Sequence, residues 1–273
     1  MKTLIIATDF SKEAENALEY AGALAQQMHV KLVLVNSFSI PVHAANSLLS
    51  ASAFQDLMDH NNEVLNKRAL KLASEYSIEV DYECGLLDLT NELDQLMVKH
   101  NARLVIMGMA ARSVEQDLFG NTTTAAIMKL KYPVLAIPMG SKFEGIKRIL
   151  FASDERQDEI VLDKIKDLAT VLKAEVEVFY VAKTINDLKA KGGELASAPI
   201  ITGVLGDVPH YYKSVEPGPV IKEIEKEVIN FNADLLIMVP HKYGFLESIL
   251  HRSKTRIMAS NNSVPLLSIP SFK

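Results

Sequence analysis

The stretch GMAARSVEQDLFGNTTTAAI, residues 108 to 127, starts on Gly108, reaches Gly120, and passes from an apolar run into a small-residue helical pattern. Residues of these types at this spacing can hold phosphate. Glycines let the backbone come close, successive N–H groups point inward, and the N-terminus of the following helix favours negative charge. Ala111 stands where a further glycine would complete such a nest, and Arg112 beside it offers a cation. If position 111 must adopt positive φ, an alanine there costs roughly 1–2 kcal/mol.

Other chemistries have little support. The chain has no GxxxxGK[ST] loop, no pyrophosphatase-type SGGxDS loop and no GxSxG elbow. Its seven histidines are scattered singly, without HExxH or close ligand pairs. The single cysteine, Cys84, rules out an intrachain disulfide and reads as a small buried hydrophobe. Met107, Met109 and Met238 lie on or beside apolar runs, where methionine fills gaps. No catalytic residue and no metal ligand is expected.

The chain has 273 residues, 48% hydrophobic and 23% charged, with a net charge of −5. This is the composition of a globular protein of one large or two modest domains. The charge gives no reason to expect a nucleic-acid partner, no apolar run is long enough to span a bilayer, and the N-terminal MKTLIIATDF is too short a run for a secretory signal. A reduced, cytoplasmic protein is expected.

One half echoes the other. LIIATD (4–9) returns as ILFASD (149–154), NARLVIMG (101–108) as NADLLIMV (232–239), and PVLAIP (133–138) as PLLSIP (265–270), in the same order. Two homologous domains follow, residues 1–140 and 145–273, with MGSKFEG (139–145) as the linker. In the first, Ser11 is the expected N-cap of a helix whose apolar residues recur at three- and four-residue spacing. A long helix is expected to bury Phe54, Leu57, Met58, Val64, Leu65, Leu72 and Ala73. Leu89, Leu93, Leu96 and Met97 mark a third helix, and KLVLVNSF, IEVDYE, RLVIMG and VLAIP complete five strands. Apolar strands alternating with helices indicate a doubly wound α/β fold with an open parallel sheet. The second half repeats the plan with RILFAS, EVEVFYV, VPHYYKSV, DLLIMV and PLLSI, and diverges most in segment 182–206. KEIEKE (222–227) reads as a solvated helix face.

A first strand ending ATDFS, a fourth ending in Gly108, a loop to Gly120-Asn121-Thr122-Thr123 and a closing YPVLAIP resemble the universal stress protein family, in tandem form. The resemblance implies the adenine-nucleotide alpha hydrolase-like fold with sheet order 3-2-1-4-5. That order places a topological switch between strands one and four, where open α/β sheets bind ligands. ATP-binding members carry a loop G-x2-G-x9-G-[ST]. By resemblance, Asp9 lies near the adenine or ribose, the strand end from Val35 to Ser37 contacts the base through its backbone, and Gly108, Gly120, Asn121 and Thr122 surround the phosphates, with Mg²⁺ only as the nucleotide's companion. The sequence departs from this pattern at Ala111, and only eight residues, Arg112 to Phe119, separate it from Gly120.

The second loop, VPHKYGFLESILHRSKTRI, keeps the family length but has Val239, Lys242 and Arg252 at the three glycine positions, and Pro240 removes a donor. That nest is gone; His241, Lys242, His251 and Arg252 are scattered cations, and Asp154 remains at its strand end. Related proteins dimerise through the last strand, so the resemblance implies that the last strands of the two halves pair within the chain as a pseudo-dimer, with homodimerisation open. The function implied is a non-catalytic stress regulator that binds ATP or another adenine nucleotide in its first domain, with slow turnover at most. Two alternatives stand beside it: a scaffold for an unknown protein partner, and a binder of another small molecule shaped by segment 182–206.

Overall fold

The computed structural model describes residues 3–37, 51–85, 89–109, 122–153, 158–181, 198–216, 218–240 and 264–270. The chain divides into two compact units, Met1–Ala110 with Lys129–Phe143, and Ala111–Met128 with Glu144–Lys273.

In the first unit, β1 (Thr3–Ala7), β2 (Lys31–Ser37), β3 (Val80–Gly85), β4 (Ala102–Met109) and β5 (Val134–Pro138) form a parallel sheet in the order β3-β2-β1-β4-β5. This is the order the family resemblance implied. The central strands LIIA, LVLV and LVI are buried on both faces, which is why they read as unbroken apolar runs. Helix α1 (Lys12–Met28) begins at Ser11, whose Oγ accepts from the Ala14 N–H at 3.2 Å. It buries Ala14, Ala17, Leu18, Ala21, Leu24 and Ala25 and ends at His29, in the left-handed region with φ of 54°.

Helix α2 (Ala51–Tyr76) corrects one expectation. Leu65, Ala69 and Leu72 are buried, but Leu57 is 42% exposed and Met58, Val64 and Ala73 are only partly covered. A helix of 26 residues is roughly 39 Å long, while the six-residue strand β3 that it covers is about 20 Å. Its first turns therefore run past the sheet. The side chain of Phe54 lies outside the described residues. Helix α3 (Leu89–Lys99) buries Leu93, Leu96 and Met97 as its spacing predicts, and α4 (Thr122–Lys129) follows β4 in the chain.

In the second unit, β6 (Arg148–Ala152), β7 (Glu175–Val181), β8 (His210–Val215), β9 (Leu235–Met238) and β10 (Leu266–Ser268) pair in parallel in the order β8-β7-β6-β9-β10. The same plan recurs down to single dihedral angles. Asn101 and Asn232, the first residues of the repeated NAR and NAD, have φ of 46° and 50°, and His29 and Lys173 end corresponding helices in the left-handed region. Helix α5 (Glu159–Leu172) is capped by Asp158, whose carboxylate accepts from Ile160 N–H at 3.1 Å. From the divergent segment, α6 (Ala198–Leu205) packs on α5 through a face that includes buried Ile201 and Leu205.

Helix α7 (Val220–Asn230) brings a second correction. The charge run 222–227 is not wholly solvated, because Glu227 is 3% exposed, beside buried Ile224 and Val228. Spacing of i, i+3 and i+4 puts these three on one face.

Candidate functional site

The strand order reverses between β1 and β4, so the C-terminal ends of β1, β2 and β4 come together without a crossover filling the gap. Ala7 pairs with Val35 on one side and Met107 on the other. Just beyond it the chain turns tightly. Thr8 donates its N–H to the Val35 carbonyl at 2.8 Å, and its Oγ1 accepts from Phe10 N–H at 3.1 Å. The Asp9 carboxylate accepts from Ser11 N–H at 3.0 Å, an Asx-type turn. It holds the exposed Asp9 side chain at the mouth of the switch.

Phe10 has φ of 65°. A bulky residue reaches the left-handed region only when its surroundings fix it there. Here Arg68 of α2 lies over its ring at 4.7 Å and pairs with Glu15 of α1 at 2.5 Å. The turn is thus clamped by the hydroxyl of Thr8 from one side and a guanidinium from the other.

Sequence reasoning missed Asn36. Its Nδ2 donates to the Thr8 carbonyl at 2.8 Å, tying β2 to the turn after β1. It is 4% exposed, and its Oδ1 is buried with no hydrogen-bond partner among the described residues. A polar amide directly after the apolar run LVLV, at the strand end beside the switch, was the available signal.

Gly108 has a structural reason to be glycine. A Cβ there would sit 2.5 Å from the Glu13 carbonyl oxygen and 3.0 Å from Ala14 N, both backbone atoms of α1. The glycine lets the first turn of α1 rest directly on β4.

Of the residues expected at the site, Asp9, Val35, Ser37 and Gly108 converge on this end of the sheet. The Val35 carbonyl is already engaged by Thr8, and Thr122 is the exposed first residue of α4. Ala111, Arg112, Gly120 and Asn121 lie outside the described residues, as do Asp154, His241, Lys242, His251 and Arg252 of the second half. Cys84, near the end of β3, is half-buried; burial and the Glu92 charge raise its pKa, which keeps it a protonated thiol. Among the described residues, no group of three or more His, Cys, Asp or Glu could hold a metal ion, and no helix is long and apolar enough to cross a membrane.

The second unit has the same strand ends but not the same lining. Ser153 donates its N–H to the Phe179 carbonyl at 2.9 Å, as Thr8 does to Val35. Buried Tyr180 stands at the position of Asn36, and Val239 at that of Gly108.

The model of the universal stress protein family matches residues 1–138 of the chain. The chain belongs to this family. A universal stress protein from Archaeoglobus fulgidus is 17% identical and superposes with a TM-score of 0.68, over 98% of this chain and 96% of that one. A putative universal stress protein from Pseudomonas aeruginosa is 16% identical, with a TM-score of 0.58 over 98% of this chain and 92% of the other. At these identities the likeness establishes a shared fold. No curated protein matches the chain. The family match covers the first half; the second shares its strand order and its turns.

Proposed function

We propose that this universal stress protein is a non-catalytic regulator, working in a reducing cytoplasm, whose first unit binds an adenine nucleotide at the C-terminal ends of β1 and β4. The second unit has lost that role. The observation that carries the reading is the exposed Asp9 carboxylate, held by Ser11 N–H at the point where strand order reverses. The unpartnered Asn36 Oδ1 beside it adds a buried acceptor that a base amino group would satisfy. In the sequence, Gly108 and Gly120 keep part of a phosphate-binding pattern, and Mg²⁺ enters only as the nucleotide's companion. Among the described residues, no general base and nucleophile are arranged together.

Calorimetric titration with ATP, with and without Mg²⁺, on protein refolded free of carried-over ligand is the test. One-site binding that disappears in Asp9→Ala and Gly120→Asp supports the reading; absence of heat together with an unchanged melting temperature at millimolar ATP sinks it. One observation favours a second reading, a protein-interaction role with the crevice empty: the close approach of α1 gives Gly108 a packing reason that needs no ligand.

A further inference from the structure

The register aligns the two halves residue by residue. Ile5 pairs with Val33 and Leu150 with Glu177, and Ile5 and Leu150 are equivalent in the repeated first strand. Glu177 therefore fills the slot that Val33 fills in the first unit. Counted back from Asn101 and Asn232, Leu96 of α3 corresponds to Glu227 of α7. Two apolar positions of the first unit, both buried, have become two carboxyl groups in the second, 8% and 3% exposed.

The third member is Lys213, at the position of Glu83. Val35 pairs with Glu83 and Phe179 with Lys213. In the first unit Glu83 is held from outside, by Lys99 Nζ at 2.5 Å and His100 Nε2 at 2.9 Å. Burial pushes its pKa up, but those bonds outweigh it and hold the carboxyl below its usual range. In the second unit the sign is reversed: Lys213 Nζ meets Glu227 Oε2 at 2.5 Å, while Glu177 hydrogen-bonds Glu227 from β7. The remaining Glu177 Oε1 is buried with no partner among the described residues.

Two carboxylates cannot hydrogen-bond each other without a proton between them, and one lysine neutralises only one of them. Glu175 on the same strand adds negative charge that raises the Glu177 pKa further. Glu175 on β7 accepts from Tyr211 Oη of β8 at 3.1 Å, and Arg148 of β6 lies in register with Glu175. On α7 itself, Glu223 and Lys226 pair with each other at 2.7 Å.

We infer that Glu177 and Glu227 share one proton and, with Lys213, form a pH-sensitive fastening of α7 onto β7. With the proton in place the three groups sum to zero charge and α7 is held. Losing it leaves a net negative charge in a buried site, and the two carboxylates push α7 from the sheet. Burial first, and the Glu227 charge second, raise the Glu177 pKa to about 7, so the change falls in the neutral range.

Hydrogen–deuterium exchange of the full chain between pH 5.5 and 8.5, corrected for the intrinsic pH dependence of exchange, tests this. Peptides of α7 are read against those of α3, the same helix in the other unit. Protection of α7 relative to α3 is expected to fall about tenfold as pH rises from 6 to 8, and the fall is expected to vanish in Glu177→Gln. Glu177→Val combined with Glu227→Leu, which restores the pair found in the first unit, is expected to give a flat profile too and carries the test if Glu177→Gln does not fold. A constant ratio in the wild type, or the same fall in either variant, overturns the inference.

Discussion

The two units share a fold plan but solve the same core position in opposite ways. In the first, Val33 and Leu96 bury aliphatic surface, and the Glu83 carboxyl is kept at the margin, held by Lys99 and His100. In the second, two carboxyl groups and a lysine occupy the corresponding places. The strand ends diverge in parallel: Asn36 and Gly108 in one unit, Tyr180 and Val239 in the other. A repeat can keep its backbone while its two copies exchange burial for ionisation, because the register fixes which slots exist and not what fills them.

The sharpest way to break the comparison is to transplant one side of it. Val33→Glu sets a carboxyl into the first unit with neither Glu227 nor Lys213 to receive it, and is expected to cost about 4 kcal/mol at pH 7. Denaturant unfolding measures this, and a loss near zero would show that the slot tolerates charge without its partners.

Gly108→Val comes next. The added side chain meets the α1 backbone, which cannot rotate away, and a loss of about 3 kcal/mol is expected. Val239→Gly, the reciprocal change in the second unit, is expected to shift stability by less than about 1 kcal/mol. Equal losses in the pair would mean that α1 does not approach β4 as closely as described.

The pH dependence gives a third. The Glu177 pKa is raised to about 7 in the folded state, from an ordinary value of 4.5. Between those values the folded state holds a proton that the unfolded chain has lost, so this group's contribution falls as pH rises through that window. It is level below pH 4.5 and above 7. Stability of the wild type minus that of Glu177→Gln is therefore expected to decline by about 1.4 kcal/mol per pH unit across the window. A flat difference would place the ionisation elsewhere.

The smallest effects should be equal in the two units. Ser11→Ala and Asp158→Ala each remove a side-chain cap from the helix after the first strand, and each is expected to cost about 1 kcal/mol. Thermal unfolding that separates the two by more than that would show that the two helix starts are not equivalent.

Much of the fold was legible because parallel strands and amphipathic helices write their periods into the chain. The repeats, the five strands of each half and the Ser11 cap are such features. Leu57 was misread because periodicity says which face of a helix is apolar, not how far the sheet beneath it extends. Glu227 was misread because a run of charges looks solvated until the helix is set against β7, where one of its glutamates takes a leucine's place. At the candidate site, Asp9 and Gly108 could be found as strand ends. The left-handed turn at Phe10, its clasp by Arg68 from another helix, and the buried amide of Asn36 depend on tertiary neighbours, which spacing along one chain does not encode.

The register of β1 has a consequence for synthesis. Its core residues Leu4, Ile5 and Ile6 pair with Leu104, Val105 and Ile106, partners that the ribosome makes a hundred residues later. At translation rates of roughly 5–20 residues per second, β1 waits on the order of 5–20 s for that neighbour. Until then its apolar edge is covered by β2 alone, so the nascent chain passes through a period in which a strand wholly buried in the finished fold lies open to a chaperone.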